Sequence, residues 1–328
     1  MKEKYPLYYI YLNGDTMHKY IKKIKKQETY LGEQEKGNYF EGWYFKLVTN
    51  DKKNTIAFII GITKGEDEHA FIQVIDTVQN KPFYFRYTLK DFVVSENPFS
   101  IQIGPNLFSL KKIILDIKDI HLKGTISFKE LLPIHKSIYS PNIMGPFAYL
   151  FFLECNHGVI SLGHLLEGKI NIHHKKINFN NGIGYIEKDY GSSFPKRYIW
   201  MQANKSKDTN FFLSIATIPF KIFSFKGLIS ILMIEGKEYR FATYNGTKLL
   251  SLENIDAHTY FIKMKKKDLY LEIFLRSGHE IPLVSPKKGH MNDKVEESLE
   301  STIHIKLRKK EKILWEESFS PCTTEILW

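Results

Sequence analysis

Arginine is scarce in this sequence: Arg86, Arg197, Arg240, Arg276 and Arg308 are the only five among 47 cations. Proteins that read base edges and phosphates lean on the bidentate guanidinium fork, so the net charge of +11 does not point to a nucleic-acid partner. The lysines are spread along the chain as solvated faces require. The run "HKYIKKIKK" at 18–26, beside Tyr8, Tyr9 and Tyr11, and the stretch "IPFKIFSFKG" at 218–227, which alternates apolar groups with lysines, have a composition suited to peripheral contact with an anionic membrane. Cysteine is rarer still. Cys155 and Cys322 have no CxxC partner, which excludes a disulfide scaffold and fits a reducing, cytoplasmic setting. No basic stretch followed by an apolar core opens the chain, so no export signal is expected. Long hydrophobic runs are missing too. The longest, "FFLSIATIPFKIFSFKGLISILMI" at 211–234, is interrupted by Pro219, Lys221, Lys226 and Gly227, which argues against a spanning helix and predicts two strands joined by a turn. GxSxG, P-loop and GxGxxG contexts are absent, so neither a serine nucleophile nor a nucleotide cofactor has motif support, and no cofactor is expected.

What the chain does have is rings and strand formers. Aromatic residues make up 14% of 328 residues and hydrophobic residues 43%, too much for disorder and enough for two domains of ordinary size. Val, Ile, Tyr, Phe and Thr crowd most segments while strong helix formers are sparse, which predicts a mainly β protein. The stretch "SIQIGPNLFSLKKIILDIKDIHLKGTISFKE" reads as meandering antiparallel strands that turn at Gly104-Pro105-Asn106, near Asp119 and at Lys123-Gly124. Asn-Gly pairs at 13–14, 181–182 and 245–246 supply tight turns. One helix is expected, "MNDKVEESLES" at 291–301, with Asn292 or Asp293 as its cap and Val295 and Leu299 on one face. "YFEGWYFK" before "NTIAFIIGIT" is echoed by "GYIEKDYGSSFPKRYIW" before "TNFFLSIAT". The echo suggests two consecutive antiparallel β-barrel or sandwich units, 1–178 and 179–328, divided near the polar "HHKKINFNNG" at 173–182.

Each half places a glutamate two residues after a tyrosine. Strand alternation puts Tyr39, Glu41, Trp43 and Phe45 on one face, and likewise Tyr185 with Glu187 and Asp189, and Tyr198 with Trp200, Gln202 and Asn204. Aromatic area with a few polar tips suits a pocket for an apolar molecule with one polar end. Glu41 has a competing structural reading, as a buried carboxylate fixing a domain interface through hydrogen bonds. Glu187 and Asp189 would repel each other if both were ionised, so one of them can keep its proton and serve as a general acid. His157, His164, His173 and His174 share a region, but "CNHG" reads as a hairpin turn and no carboxylate spacing completes a ligand set, so no metal site is expected.

The stretches "YFEGWYFK", "MGPFAYLFFLECNHG", "GYIEKDYGSSFPKRYIWMQAN", "YRFATYNG" and "KKGHMNDKVEESLESTIHIKL", in that order, resemble the successive motifs of the tocopherol cyclase-like family over residues 39 to about 326. The resemblance implies two lipocalin-like β units, akin to those of carotenoid hydratase and some Diels-Alderases. It also implies the reaction: protonation of a trisubstituted alkene on a prenylated quinol, then capture of the tertiary cation by a phenol oxygen. Carried over residue by residue, it makes Glu187 and Asp189 of "YIEKDYG" the first acid candidates, with Glu41 and Glu154 behind them. Trp43, Tyr198 and Trp200 become the rings that face the cation. Tyr190 and Tyr198 stand where family members often have Trp, no plastid transit segment precedes the motifs, and the Lys and Ile usage resembles that of an AT-rich bacterial genome. The alternative expectation is a non-catalytic binder of an isoprenoid or prenylated aromatic lipid. An acid in reach of the bound alkene distinguishes the enzyme from a binder whose polar groups sit only at the cavity mouth.

Overall fold

The computed structural model describes residues 24–33, 35, 37–150, 153–220 and 223–328, with the side chains of Phe220 and Phe223 not described. The N-terminal tyrosines, the Asn13-Gly14 turn, most of the 18–26 lysine run and the tip of the 218–227 hairpin lie outside the described residues. The first sheet begins as a meander, β1 (Tyr39–Val48), β2 (Thr55–Lys64), β3 (His69–Asp76) and β4 (Lys81–Tyr87). It continues through β5 (Phe92–Glu96), β6 (Phe99–Ile103), β7 (Asn106–Ser109), β8 (Lys112–Ile117), β9 (Leu122–Lys129), β10 (Cys155–Ile172), β11 (Lys175–Asn178) and β12 (Gly182–Gly191). The second sheet repeats the opening with β13 (Tyr198–Asn204), β14 (Asn210–Phe220), β15 (Phe223–Ile234) and β16 (Lys237–Ala242). Its remaining strands are β17 (Lys248–Asp256), β18 (Thr259–Lys266), β19 (Leu269–Arg276), β20 (Glu280–Lys287), β21 (His290–Lys309) and β22 (Lys312–Leu327).

Both sheets share one plan. The order β4-β3-β2-β1-β12-β10 in the first is matched by β16-β15-β14-β13-β22-β21 in the second, so the first strand of each unit pairs antiparallel with its last. These are two consecutive lipocalin-like β units. Strand β12, which a division at 178/179 assigns to the second unit, is hydrogen-bonded between β1 and β10 in the first sheet, so the chain passes between sheets after Gly191. The structural repeat therefore starts at Tyr198, and the "YIEKDYG" stretch closes the first sheet.

Burial explains the dense rings. Every residue of β1 and of β13 is buried, because one face of each strand lines its own unit's core and the other packs against the second unit. Trp43, Phe45, Phe58 and Phe108 fill the first core, and Met201, Phe211, Phe241 and Phe319 the second. Between the units lies a third cluster that includes Tyr44, Tyr185, Tyr198, Trp200, Phe212 and Leu283. Each large side chain withdrawn from water in this way contributes roughly 1.5–3 kcal/mol. The units are also cross-linked by hydrogen bonds. Gln73 on β3 donates to the Val284 carbonyl and accepts from the Val284 N–H, and the buried Lys46 ammonium donates to the Gln202 carbonyl.

Two expectations about local structure are corrected. Residues 291–301 lie in β21, paired with β20 and β22, and form no helix. Val295 and Leu299 are four apart, a spacing that fits a helical face and equally a strand face; buried Glu297 between them shows the period of two. Lys123-Gly124 lies inside β9, the reversal having taken place at Lys118–Ile120 and His121. The 211–234 stretch does form the expected pair of antiparallel strands, β14 and β15.

Candidate active site

A cavity of about 180 Å³ lies between the two units. At about 30 Å³ per water molecule, that is space for roughly six. Phe40 and Tyr44 of β1, Phe71 of β3, Tyr198 and Trp200 of β13, and Phe147 and Leu150 from the segment before β10 give it mostly apolar walls. Gly42 lines the floor without a side chain, and a Cβ built there meets nothing nearer than the Ile60 carbonyl at 3.5 Å. The polar groups that reach the cavity include His157, Glu187, Asp189 and Glu325 in the wall and the exposed Glu154.

The wall groups form a hydrogen-bonded row. Cross-strand pairing of β10 with β12 sets His157 opposite Asp189, and the ring Nδ1 is 2.8 Å from the Asp189 carboxylate. The other ring nitrogen, Nε2, is 3.3 Å from Glu187 Oε2, and the ring stacks on Phe212. Glu187 also accepts from the Tyr185 hydroxyl on its own strand and from the indole Nε1 of Trp200 at 3.2 Å. Burial pushes the Glu187 carboxyl up to about 8; His157 opposes the rise and the neighbouring Asp189 adds to it. Burial disfavours the His157 cation, but Asp189 and Glu187 outweigh it and raise the imidazole to about 9. Near neutral pH the site thus holds a cationic histidine beside a glutamic acid that keeps its proton. Farther along, the Tyr198 hydroxyl donates to Glu325, and the Tyr44 hydroxyl donates to Glu297 at 2.5 Å. The Tyr44 ring meets Trp200 edge-on, with centroids 5.5 Å apart.

Of the residues predicted from sequence, Glu187, Asp189, Tyr198 and Trp200 come together in the cavity wall, Tyr185 is buried behind it and donates to Glu187, and Glu154 lies at the edge of the same cavity. Gln202 and Asn204 share the Trp200 face but lie beyond the cavity, with Gln202 donating to Asn204 and Asn204 donating to the Leu162 carbonyl. Tyr39, Glu41, Trp43 and Tyr190 are elsewhere. Glu41 pairs with the Lys188 ammonium and accepts from the Leu31 and Gly32 N–H groups and the Tyr39 hydroxyl. Trp43 donates to the Glu28 carbonyl, and Lys188 lies over the rings of Trp43 and Tyr190. This constellation clasps residues 28–32 onto the first unit, the structural reading of Glu41.

Sequence reasoning missed Tyr44, His157, Glu297 and Glu325. "CNHG" opens β10 in place of a hairpin turn, and the pairing with β12 brings His157 to two carboxylates that sequence spacing does not connect. His173 and His174 form the tight turn after β10 at φ 50 and 64°, and His164 is buried against Ser161. Among the described residues, His157, Glu187 and Asp189 form a group able to hold a metal ion, their ligand atoms within 4.8 Å of one another. Nδ1 is hydrogen-bonded to Asp189, while Nε2 makes a 3.3 Å charge contact with Glu187 and no hydrogen bond among the described residues.

The model of the tocopherol cyclase-like family matches residues 138–326. Among solved structures, CghA aligns over 88% of either chain at 9% identity with a TM-score of 0.59. The same protein with Sch210972 aligns over the same shares at 10% identity and 0.58. Kievitone hydratase from Nectria haematococca aligns over 91% of this chain and 92% of its own, at 10% identity and a TM-score of 0.47. At these identities the likeness to CghA shows a common fold. A comparison with curated protein sequences returns no match.

Proposed function

This chain belongs to the tocopherol cyclase-like family, and from that membership we propose that it closes a ring on a prenylated quinol-like or other isoprenoid lipid by acid catalysis. The observation that carries the reading is Glu187. It is a buried carboxyl with its proton favoured, set in the wall of an apolar cavity between the Tyr185 hydroxyl, the Trp200 indole N–H and His157. In this scheme the Glu187 carboxyl protonates the substrate alkene, and the tertiary cation that forms faces the rings of Trp200 and Tyr44. The apolar walls keep water from capturing the cation before the substrate's hydroxyl does. Asp189 orients the His157 ring, and the His157 cation beside Glu187 compensates the carboxylate it becomes. This assignment narrows the acid candidates to Glu187, with Asp189 orienting His157, Glu154 at the cavity edge and Glu41 in the structural clasp.

A non-catalytic lipid carrier needs apolar walls but no protonated carboxyl among them, which is why the enzyme is the preferred reading. We further propose that the ligand enters from an anionic membrane by way of the 218–227 hairpin, since Phe225 on its second strand lines the cavity. Among the described residues no helix is long and apolar enough to cross a membrane. The free thiols of Cys155 and Cys322 support a cytoplasmic setting. The test is turnover of a prenylated hydroquinone followed by chromatography, alongside a tryptophan-fluorescence titration. Wild type should bind and cyclise, and Glu187→Gln should bind and not cyclise. Saturable binding without a ring product in wild type would leave the carrier.

A further inference from the structure

Ring closure of this kind creates a second proton problem. The acid adds a proton to carbon, and the hydroxyl that captures the cation must then lose one. A pair of carboxyls on the second unit is placed for that loss. Glu325 of β22 has two cross-strand neighbours: Trp200 on β13, whose indole bonds Glu187, and Glu297 on β21. Glu325 lines the cavity and accepts from the Tyr198 hydroxyl, while Glu297 behind it is fully buried. One Glu297 oxygen accepts from Tyr44; the other finds no donor among the described residues. The Glu297 and Glu325 side chains stand directly opposite each other across the β21–β22 pair. Two carboxyls placed so close resist being ionised together, so one of them keeps a proton. Glu297 has the lower exposure and is its natural holder, which leaves Glu325 as a carboxylate that accepts from Tyr198, with an edge toward the cavity.

We propose that Glu325, backed by Glu297, is the general base of the reaction, accepting the proton of the substrate hydroxyl as its oxygen closes onto the cation. The proposal rests on the acid role of Glu187. In the balanced step, the Glu187 O–H bond breaks and a C–H bond forms at the alkene. The substrate O–H bond then breaks as the C–O bond forms, and its proton goes to Glu325. The protein ends one proton richer at Glu325 and one poorer at Glu187, and transfer between them restores the starting state with no net consumption. Of the other acid–base groups on the cavity, His157 and Asp189 bond each other and Glu154 is exposed at the edge. Burial lifts Glu297 well above the usual carboxylate range and Glu325 to about 7, with the Tyr198 bond pulling Glu325 back, which agrees with one proton shared by the pair.

Two measurements test it. With a prenylated hydroquinone, Glu325→Gln should lower ring product by roughly 10²–10⁴. Open-chain products of the trapped cation, the shifted alkene or the alcohol formed with water, should still accumulate at an unchanged melting temperature. Ring formation at the wild-type rate in this variant overturns the proposal. Independently of turnover, infrared spectra of the ligand-free Glu187→Gln protein in D2O at neutral pH should keep a protonated-carboxyl C=O band that added Glu297→Gln removes. Absence of that band overturns the shared proton. A Glu187→Gln protein that still forms the ring would sink the acid reading instead, while the infrared band continues to judge the pair.

Discussion

Raising the pH should weaken the wild-type fold through Glu187 in a way that Glu187→Gln does not. The carboxyl moves from the ordinary value of 4.5 when unfolded to about 8 when folded. Between those values the folded chain holds a proton that the unfolded chain has released, so stability is fully present below about pH 4.5 and falls as pH rises through 8. A group of this kind changes stability by roughly 1.4 kcal/mol per pH unit inside its window. Tyr185 and His157 share the site, so a total on the order of 3–5 kcal/mol is expected. His157, raised to about 9 from 6.5 in part by Glu187, adds a loss of the same sign above about pH 6.5. Below that window the difference between wild type and variant isolates the glutamate. Urea unfolding at pH 5, 6, 7 and 8 measures it, and the advantage of wild type should shrink steadily over that range. Two parallel stability curves would refute the claim that Glu187 stays protonated.

Other outcomes follow from the same geometry. Lys188→Met leaves the Glu41 carboxylate buried without its cation and should cost about 3–5 kcal/mol in unfolding experiments, with prenylquinol binding retained by the folded fraction. Gly42→Val places methyl groups in the cavity where the backbone has room for a Cβ, so fluorescence titration should show binding lost while the melting temperature holds. Flotation with anionic liposomes should fall in Phe223→Ser/Phe225→Ser; equal flotation would exclude the hairpin as the membrane contact. Turnover should decline above about pH 8, as Glu187 loses its proton.

Glu41 and Glu187 look alike in sequence, and each accepts from the tyrosine two residues before it. What separates them is tertiary: Glu41 meets Lys188, and Glu187 meets an apolar cavity. Alternation identified the correct face of β12, which has one cavity side. On β1 it could not choose, because both faces are buried, and the cavity takes Phe40 and Tyr44 in place of Tyr39 and Trp43. Glu297 and Glu325 were illegible for a related reason. They come from strands at the end of the chain, and only the antiparallel register of β21 and β22 beside β13 sets them next to Trp200. The β class and the two-unit plan were legible because turn residues and strand formers recur along the whole chain, whereas the site is made of long-range pairings.

In the proposed reaction a protein carboxyl delivers a proton to carbon inside this cavity. Incubating the protein with a prenylated hydroquinone in D2O and analysing the product by mass spectrometry and NMR tests it most directly. Wild type should yield a cyclised ether carrying one deuterium on the ring carbon next to the newly oxygenated one, and Glu187→Gln should yield none. A ring product without that deuterium, or the same labelled product from Glu187→Gln, would contradict the account.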